Sequence, residues 1–178
     1  PVRERNDYDA ARYAGVLELV REKSGWNETP QGVQRGVSAY FCHNSYVAEV
    51  VDVVVKDNNP KVEKVVAAID CGIVINKDAA INMAEGAIVD GIGNALYGEL
   101  SFRDGAPEKN NFNTYRLIRA NEAPKAIEVH FVKNEHDPTG LGEPPFPPVF
   151  AAIANALYKA TGKRFYNQPF IKELNLSS

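Results

Sequence analysis

Apolar residues first recur at helical spacing. In residues 7–24, DYDAARYAGVLELVREKS, the positions Ala10, Tyr13, Leu17 and Val20 share one face, which predicts an amphipathic helix. Asp7 or Asp9 is placed to cap its start and Gly25 to end it, with Trp26 packing on that end. Residues 27–33 read as a loop. The period then shortens to two. QRGVSAYFCH (34–43) and SYVAEVVDVVVK (45–56) are rich in β-branched and aromatic residues, and the polar break at 43–45 makes them an antiparallel pair. DNNP (57–60) is turn chemistry, and KVEKVVAAID (61–70) is a third strand of the meander.

From residue 71 the period changes again. Asn76 or Asp78 can cap a long helix whose stripe is Ala80, Met83, Ala84, Ala87, Ile88, Gly91, Ala95 and Leu96. The glycines at 86, 91, 93 and 98 are costly in a helix, so they are expected to admit a close neighbour or ligand. RDGA (103–106) is a turn. KAIEVHFV (125–132) alternates as a fourth strand, with Ile127, Val129 and Phe131 on one face and His130 exposed. A last helix is expected over 147–161, with proline in its first turn and Gly162 closing it. There is no internal repeat and no interior boundary. The expected fold class is α+β: one domain over 1–178, a mostly antiparallel sheet with helices packed on it in two layers.

Composition adds exclusions. A net charge of -3 and a pI near 5.7 supply no basic field for nucleic acid. Two cysteines, Cys42 and Cys71, make neither a disulfide framework nor a four-ligand zinc site; each sits in an apolar stretch and reads as a small buried thiol. No apolar segment approaches the ~20 residues that span a bilayer. No signal-peptide pattern follows Pro1, and the compartment, cytoplasmic or periplasmic, is not decided. His43, His130 and His136 lack metal-ligand spacing, so no metal ligand is assigned. GIGNAL (91–96) lies inside a predicted helix and is no phosphate loop. There is no serine elbow.

The candidate chemistry lies in HDPTGLGEPPFPPVFAAIANALYKATGKR, residues 136–164. One carboxylate, Glu143, stands between a glycine turn and four prolines. One reading is an acid that benefits from the field at a helix start. The other is a general base: Gly140 and Gly142 let the backbone approach a ligand, Pro144, Pro145, Pro147 and Pro148 stiffen the chain after it, and a base must meet its proton in one geometry.

GLGEPPFPPVFAAIANALYKATGKR resembles the C-terminal signature of the large subunit of molybdenum hydroxylases, the xanthine dehydrogenase and aldehyde oxidase family. AAIDCGIVINKDAAINMAEGAIVDGIGNALYGEL is similar to that family's pterin-side segment. NFNTYRLIRANEAPKAIEVHFV is most like the isoquinoline 1-oxidoreductase β-subunit branch. The resemblance implies the second half of a molybdenum-cofactor-binding domain. It implies that Glu143 is the active-site glutamate, a base toward the oxygen that attacks an aldehyde or N-heterocycle, with the backbone of Gly140, Leu141 and Gly142 against the metal centre. It implies a molybdenum-pterin cofactor, the remainder of the large subunit, and [2Fe-2S] clusters on a partner subunit or domain. Two positions depart. Met83 stands where the family usually has a glutamine that hydrogen-bonds the pterin, and Lys77 where it often has proline. A complete large subunit is several times longer, so the isolated chain is expected to be inactive. The alternative is a split or degenerate scaffold module that has lost the cofactor.

Overall fold

The computed structural model describes residues 8–175. Helix α1 runs Ala10–Ser24. The Asp9 carboxylate accepts from the N–H of Ala11 at 2.8 Å, and Gly25, with φ 57°, closes the helix; Asp7 lies outside the described residues. The buried face is rotated from the one expected. Val16 and Val20 are buried, whereas Ala10 and Leu17 are exposed. The cause is an ion pair: Arg12 donates to both oxygens of Asp70 at 3.0 and 2.6 Å, which turns the 12–16–20 row onto the sheet. Trp26 is half-buried in this layer as expected, with the Lys159 ammonium 4.8 Å from its ring.

Strands β1 (Gln34–Cys42), β2 (Ser45–Lys56) and β3 (Asn59–Asp70) form the antiparallel meander. Both connections are two-residue turns with positive φ throughout: His43 51° and Asn44 59°, then Asp57 50° and Asn58 55°. That is the mirror-image turn whose twist suits a hairpin. Helix α2 (Lys77–Leu96) follows, capped by Asn76, then the small hairpin β4 (Phe102–Arg103) and β5 (Ala106–Pro107). Strand β6 (Ala126–Phe131) joins the outer side of β3 in parallel, giving the order β1-β2-β3-β6. A parallel neighbour needs a long crossover, and the segment carrying α2 supplies it. Helix α3 (Pro147–Thr161) is closed by Gly162. A short helix α4 (Phe170–Asn175), unforeseen in the sequence, ends the described chain.

The α2–α3 layer covers one face of the sheet and α1 the other, so helices lie on both faces, one layer more than the two expected. Val51, Val53, Val65 and Ala67 meet Ile88, Ile92, Val149, Ala152 and Ile153 on the first face, and α1 covers the opposite face over Tyr46, Ala48, Val50 and Val66. Of the α2 stripe, Met83 does not bury; it is 49% accessible. Gly91 and Gly93 do admit neighbours, the Phe146 carbonyl and Ile118, whereas Gly86 faces open space. His130 is partly buried rather than exposed.

Two buried acids break the apolar alternation of β2: Asp52, which accepts from Arg35 at 2.6 and 2.8 Å, and Glu49. Glu49 lies between Val47 and Val51 and by strand alternation faces the α2–α3 layer. It is fully buried, and neither carboxylate oxygen has a hydrogen-bond partner among the described residues. Burial pushes its carboxyl well above the usual range, so the folded state keeps a proton that the unfolded chain releases above its ordinary value. Such a group supports folding at low pH and loses that support as pH rises toward the folded-state value. Glu49→Gln keeps the volume and has no proton to lose. Above pH ~4.3 the variant should gain on the parent by about 1.4 kcal/mol per pH unit, until that folded-state value is reached. Denaturant unfolding at pH ~5 and ~7 checks this; parallel pH profiles for the two proteins would reject it.

Candidate active site

The segment leading to Glu143 is laced to the ends of three strands. Asn134 donates to Asp70 at 2.8 Å. The Ile73 N–H reaches the His136 carbonyl at 3.0 Å, and the Thr139 N–H reaches the Cys71 carbonyl at 2.9 Å. Ser45, at the start of β2, binds the Thr139 hydroxyl at 2.7 Å and donates to the Gly140 carbonyl. The Gly140 N–H returns to the His43 carbonyl at 3.2 Å. Two glycines make this fit possible. A Cβ on Gly72, φ 72°, would lie 2.2 Å from the Asp137 carbonyl, and one on Gly140 would lie 2.6 Å from His43 Cβ. Burial would raise the Asp70 carboxyl, but hydrogen bonds from Arg12, Asn134 and the Gly72 N–H outweigh it and hold Asp70 below the ordinary range. Asp70 thus stays ionised as the anchor of this corner.

Glu143 does not cap α3. Phe146 is the N-cap and receives no side-chain bond. The Glu143 carbonyl accepts from the Phe146 N–H at 2.8 Å, in a turn stiffened by buried Pro144 and Pro145. Its carboxylate reaches across the corner instead, with Oε2 3.0 Å from His43 Nε2. Both side chains are open to solvent, His43 at 50% and Glu143 at 66%. Oε1 has no partner among the described residues, nor do the N–H groups of Leu141, Gly142 and Glu143.

The residues singled out in the sequence come together. Met83 on α2 stands beside Gly142, its Cε 3.1 Å from where a Cβ would be. Leu141 is partly buried, with its side chain packed against the cluster of Val47, Ile69, Cys71 and Ala84. Ala87, Asp90, Gly142, Glu143 and Phe146 line an open depression of about 370 Å³.

Two neighbours were not legible in the sequence. His43 approaches from a hairpin turn, and Cys42 ends β1 beside it. Cys42 is partly exposed, not the buried thiol expected, whereas Cys71 is buried. Burial and then the Glu143 charge push the Cys42 thiol above its ordinary value. The available signal was CHNS itself: a two-residue turn that needs positive φ twice, filled by His-Asn where Asn-Gly is usual.

The profile of the molybdopterin cofactor-binding domain family matches residues 8–124. The chain belongs to that family. The match covers α1 to the crossover and stops before the glycine loop. Among curated relatives, the chain is 29% identical over 175 residues to a membrane-bound, pyrroloquinoline-quinone aldehyde dehydrogenase of Gluconacetobacter polyoxogenes, covering 90% of this chain and 22% of that one. It is 28% identical over 164 residues to isoquinoline 1-oxidoreductase subunit beta of Brevundimonas diminuta, covering 89% and 21%. The chain therefore spans about a fifth of the length of these relatives. The fold is shared with quinoline 2-oxidoreductase of Pseudomonas putida 86, with TM-score 0.64 and 20% identity over 75% of this chain and 18% of that one. It is shared equally with the aldehyde oxidoreductase of Desulfovibrio gigas, with TM-score 0.62 and 22% identity over 77% and 17%. No helix among the described residues is long and apolar enough to cross a membrane.

Proposed function

We propose that this chain forms the base-bearing corner of a molybdenum-dependent oxidoreductase that hydroxylates an aldehyde or N-heterocycle with water-derived oxygen. The observation that carries the reading is the Glu143 carboxylate, fixed on one oxygen and open on the other, beside three backbone N–H groups that have no acceptor among the described residues. Such a row of donors suits an anionic group, and the bare glycine backbone lets one approach, so these residues fit a molybdenum-pterin. When bound, that group supplies the two-electron acceptor and activates the oxygen nucleophile.

The chain's own part is positioning and proton transfer. The N–H groups of Leu141, Gly142 and Glu143 bind and orient. Glu143 Oε1 takes the proton, while His43 Nε2 and the proline turn hold the carboxylate in place. Met83 offers a thioether contact beside Gly142 and no hydrogen bond. The substrate walls, the remaining cofactor contacts and the [2Fe-2S] relay belong, in this reading, to the rest of the large subunit and a partner, and the 178 residues alone are inactive.

The test is the molybdenum content of the native protein, purified from its own cells with whatever accompanies it. About one molybdenum per chain is expected. A ratio near zero, under conditions that load other molybdenum enzymes, would reject the reading in favour of a scaffold module or a different redox cofactor.

A further inference from the structure

Cys42, His43 and Glu143 make a cluster that the base role leaves partly unused. One ligand-type atom from each, a thiol sulfur, an imidazole nitrogen and a carboxylate oxygen, lies within 4.8 Å of the other two. Consecutive residues of a strand point to opposite faces, so Cys42 and His43 would not ordinarily converge. The left-handed backbone of His43, φ 51°, ends that alternation where the chain turns, and both side chains bring a ligand atom within 4.8 Å of the same carboxylate. Gly140 leaves the room, since a Cβ there would collide with His43. Asn44 Oδ1, in the same turn, is buried without a hydrogen-bond partner among the described residues.

We propose that Cys42, His43 and Glu143 bind a borderline-soft divalent cation, zinc above all. Mixed sulfur, nitrogen and oxygen donors suit zinc and disfavour magnesium and calcium, which take oxygen. Zinc holds such atoms at about 2.0–2.3 Å, which in a tetrahedron sets them about 3.3–3.7 Å apart. The His43–Glu143 pair, at 3.0 Å, is close to that spacing already. The sulfur has at most about 1–1.5 Å to close, and the surface positions of His43 and Glu143 let their side chains adjust. Binding replaces the thiol hydrogen by the metal, so one proton leaves Cys42 for solvent. The fourth position stays open to water. An ion here takes the carboxylate that the base role needs, so metal occupancy and proton transfer by Glu143 exclude each other.

The experiment titrates the full chain, reduced and freed of metal, with cobalt(II), and then displaces it with zinc. One cobalt per chain with a thiolate-to-cobalt charge-transfer band is expected, lost on zinc addition. Cys42→Ser abolishes the band, Cys71→Ala retains it, and His43→Gln and Glu143→Gln each weaken binding at least ~10-fold, the scale set by loss of a ligand's support alone. Circular dichroism confirms that each variant is folded; Cys42 is partly exposed at a strand end, so serine spares the packing. Absence of the band overturns the proposal, as does a band that survives Cys42→Ser or vanishes in Cys71→Ala. Affinity unmoved by both the His43 and Glu143 changes also overturns it. The readout is independent of molybdenum content, so either reading can fail while the other stands.

Discussion

Glu143→Gln, in the assembled enzyme of the proposed reading, is expected to keep its molybdenum and to lose turnover by about 10²–10⁴-fold, the range that a positioned general base contributes. Glutamine has the same shape, and its amide oxygen can still accept from His43 Nε2 if that nitrogen carries the hydrogen. The turn through Phe146 uses only the backbone of residue 143 and is untouched. What glutamine lacks is a lone pair basic enough to take a proton on the atom that stands free in the native side chain. Steady-state turnover and metal analysis on the same preparation separate the outcomes. Unchanged turnover rejects the base. Loss of molybdenum together with turnover would mean that residue 143 holds the cofactor and not a proton.

Gly36→Ala destabilises the protein by about 3 kcal/mol or more, a large part of the ~5–15 kcal/mol that holds a domain together. A Cβ at residue 36 would lie 1.9 Å from the Ala152 carbonyl oxygen and 2.6 Å from the Ala156 nitrogen. Both are backbone atoms of α3, so no rotamer change relieves the clash and helix must part from strand. The damage reaches the site, because β1 runs on from Gly36 to Cys42 and α3 begins just after Glu143. Chemical denaturation measures the loss. Gly86→Ala is the control: nothing lies within 4 Å of that added carbon, and alanine at an exposed helix position should stabilise by up to about 1 kcal/mol. Equal stability of the parent and the Gly36 variant would mean that β1 and α3 pack less closely than described.

The local elements were legible because each carries its own signal. Asp9 and Gly25 bracket α1, Asn76 caps α2, and Gly162 closes α3, as the sequence proposes. The meander was readable from period-two alternation and polar breaks. Non-local facts were not. Nothing in KAIEVHFV says that it lies parallel to β3, since direction depends on where the crossover delivers the strand. The buried face of α1 differs from the one expected because periodicity weighs apolar residues and ignores an arginine with a buried aspartate partner. Glu143, Gly140, Leu141, Gly142 and Met83 could be named in advance from a glycine–proline frame and a family resemblance. His43 could not, because its approach depends on the turn that reverses β1 into β2. Glu49 was not legible as a buried group because alternation along β2 does not show which of its faces a helical layer covers.

The lacing of the glycine loop onto the first hairpin also sets an order of assembly. Ser45 meets Gly140 across 95 residues of sequence, and His43 meets Glu143 across 100. The meander needs only neighbours in the chain, so it can form early, whereas contacts this distant close late. During synthesis the ribosome delivers the hairpin long before the loop that completes it. A nascent chain therefore has a sheet well before it has its glycine-loop corner, and the histidine waits in its turn for a carboxylate that has not yet been made.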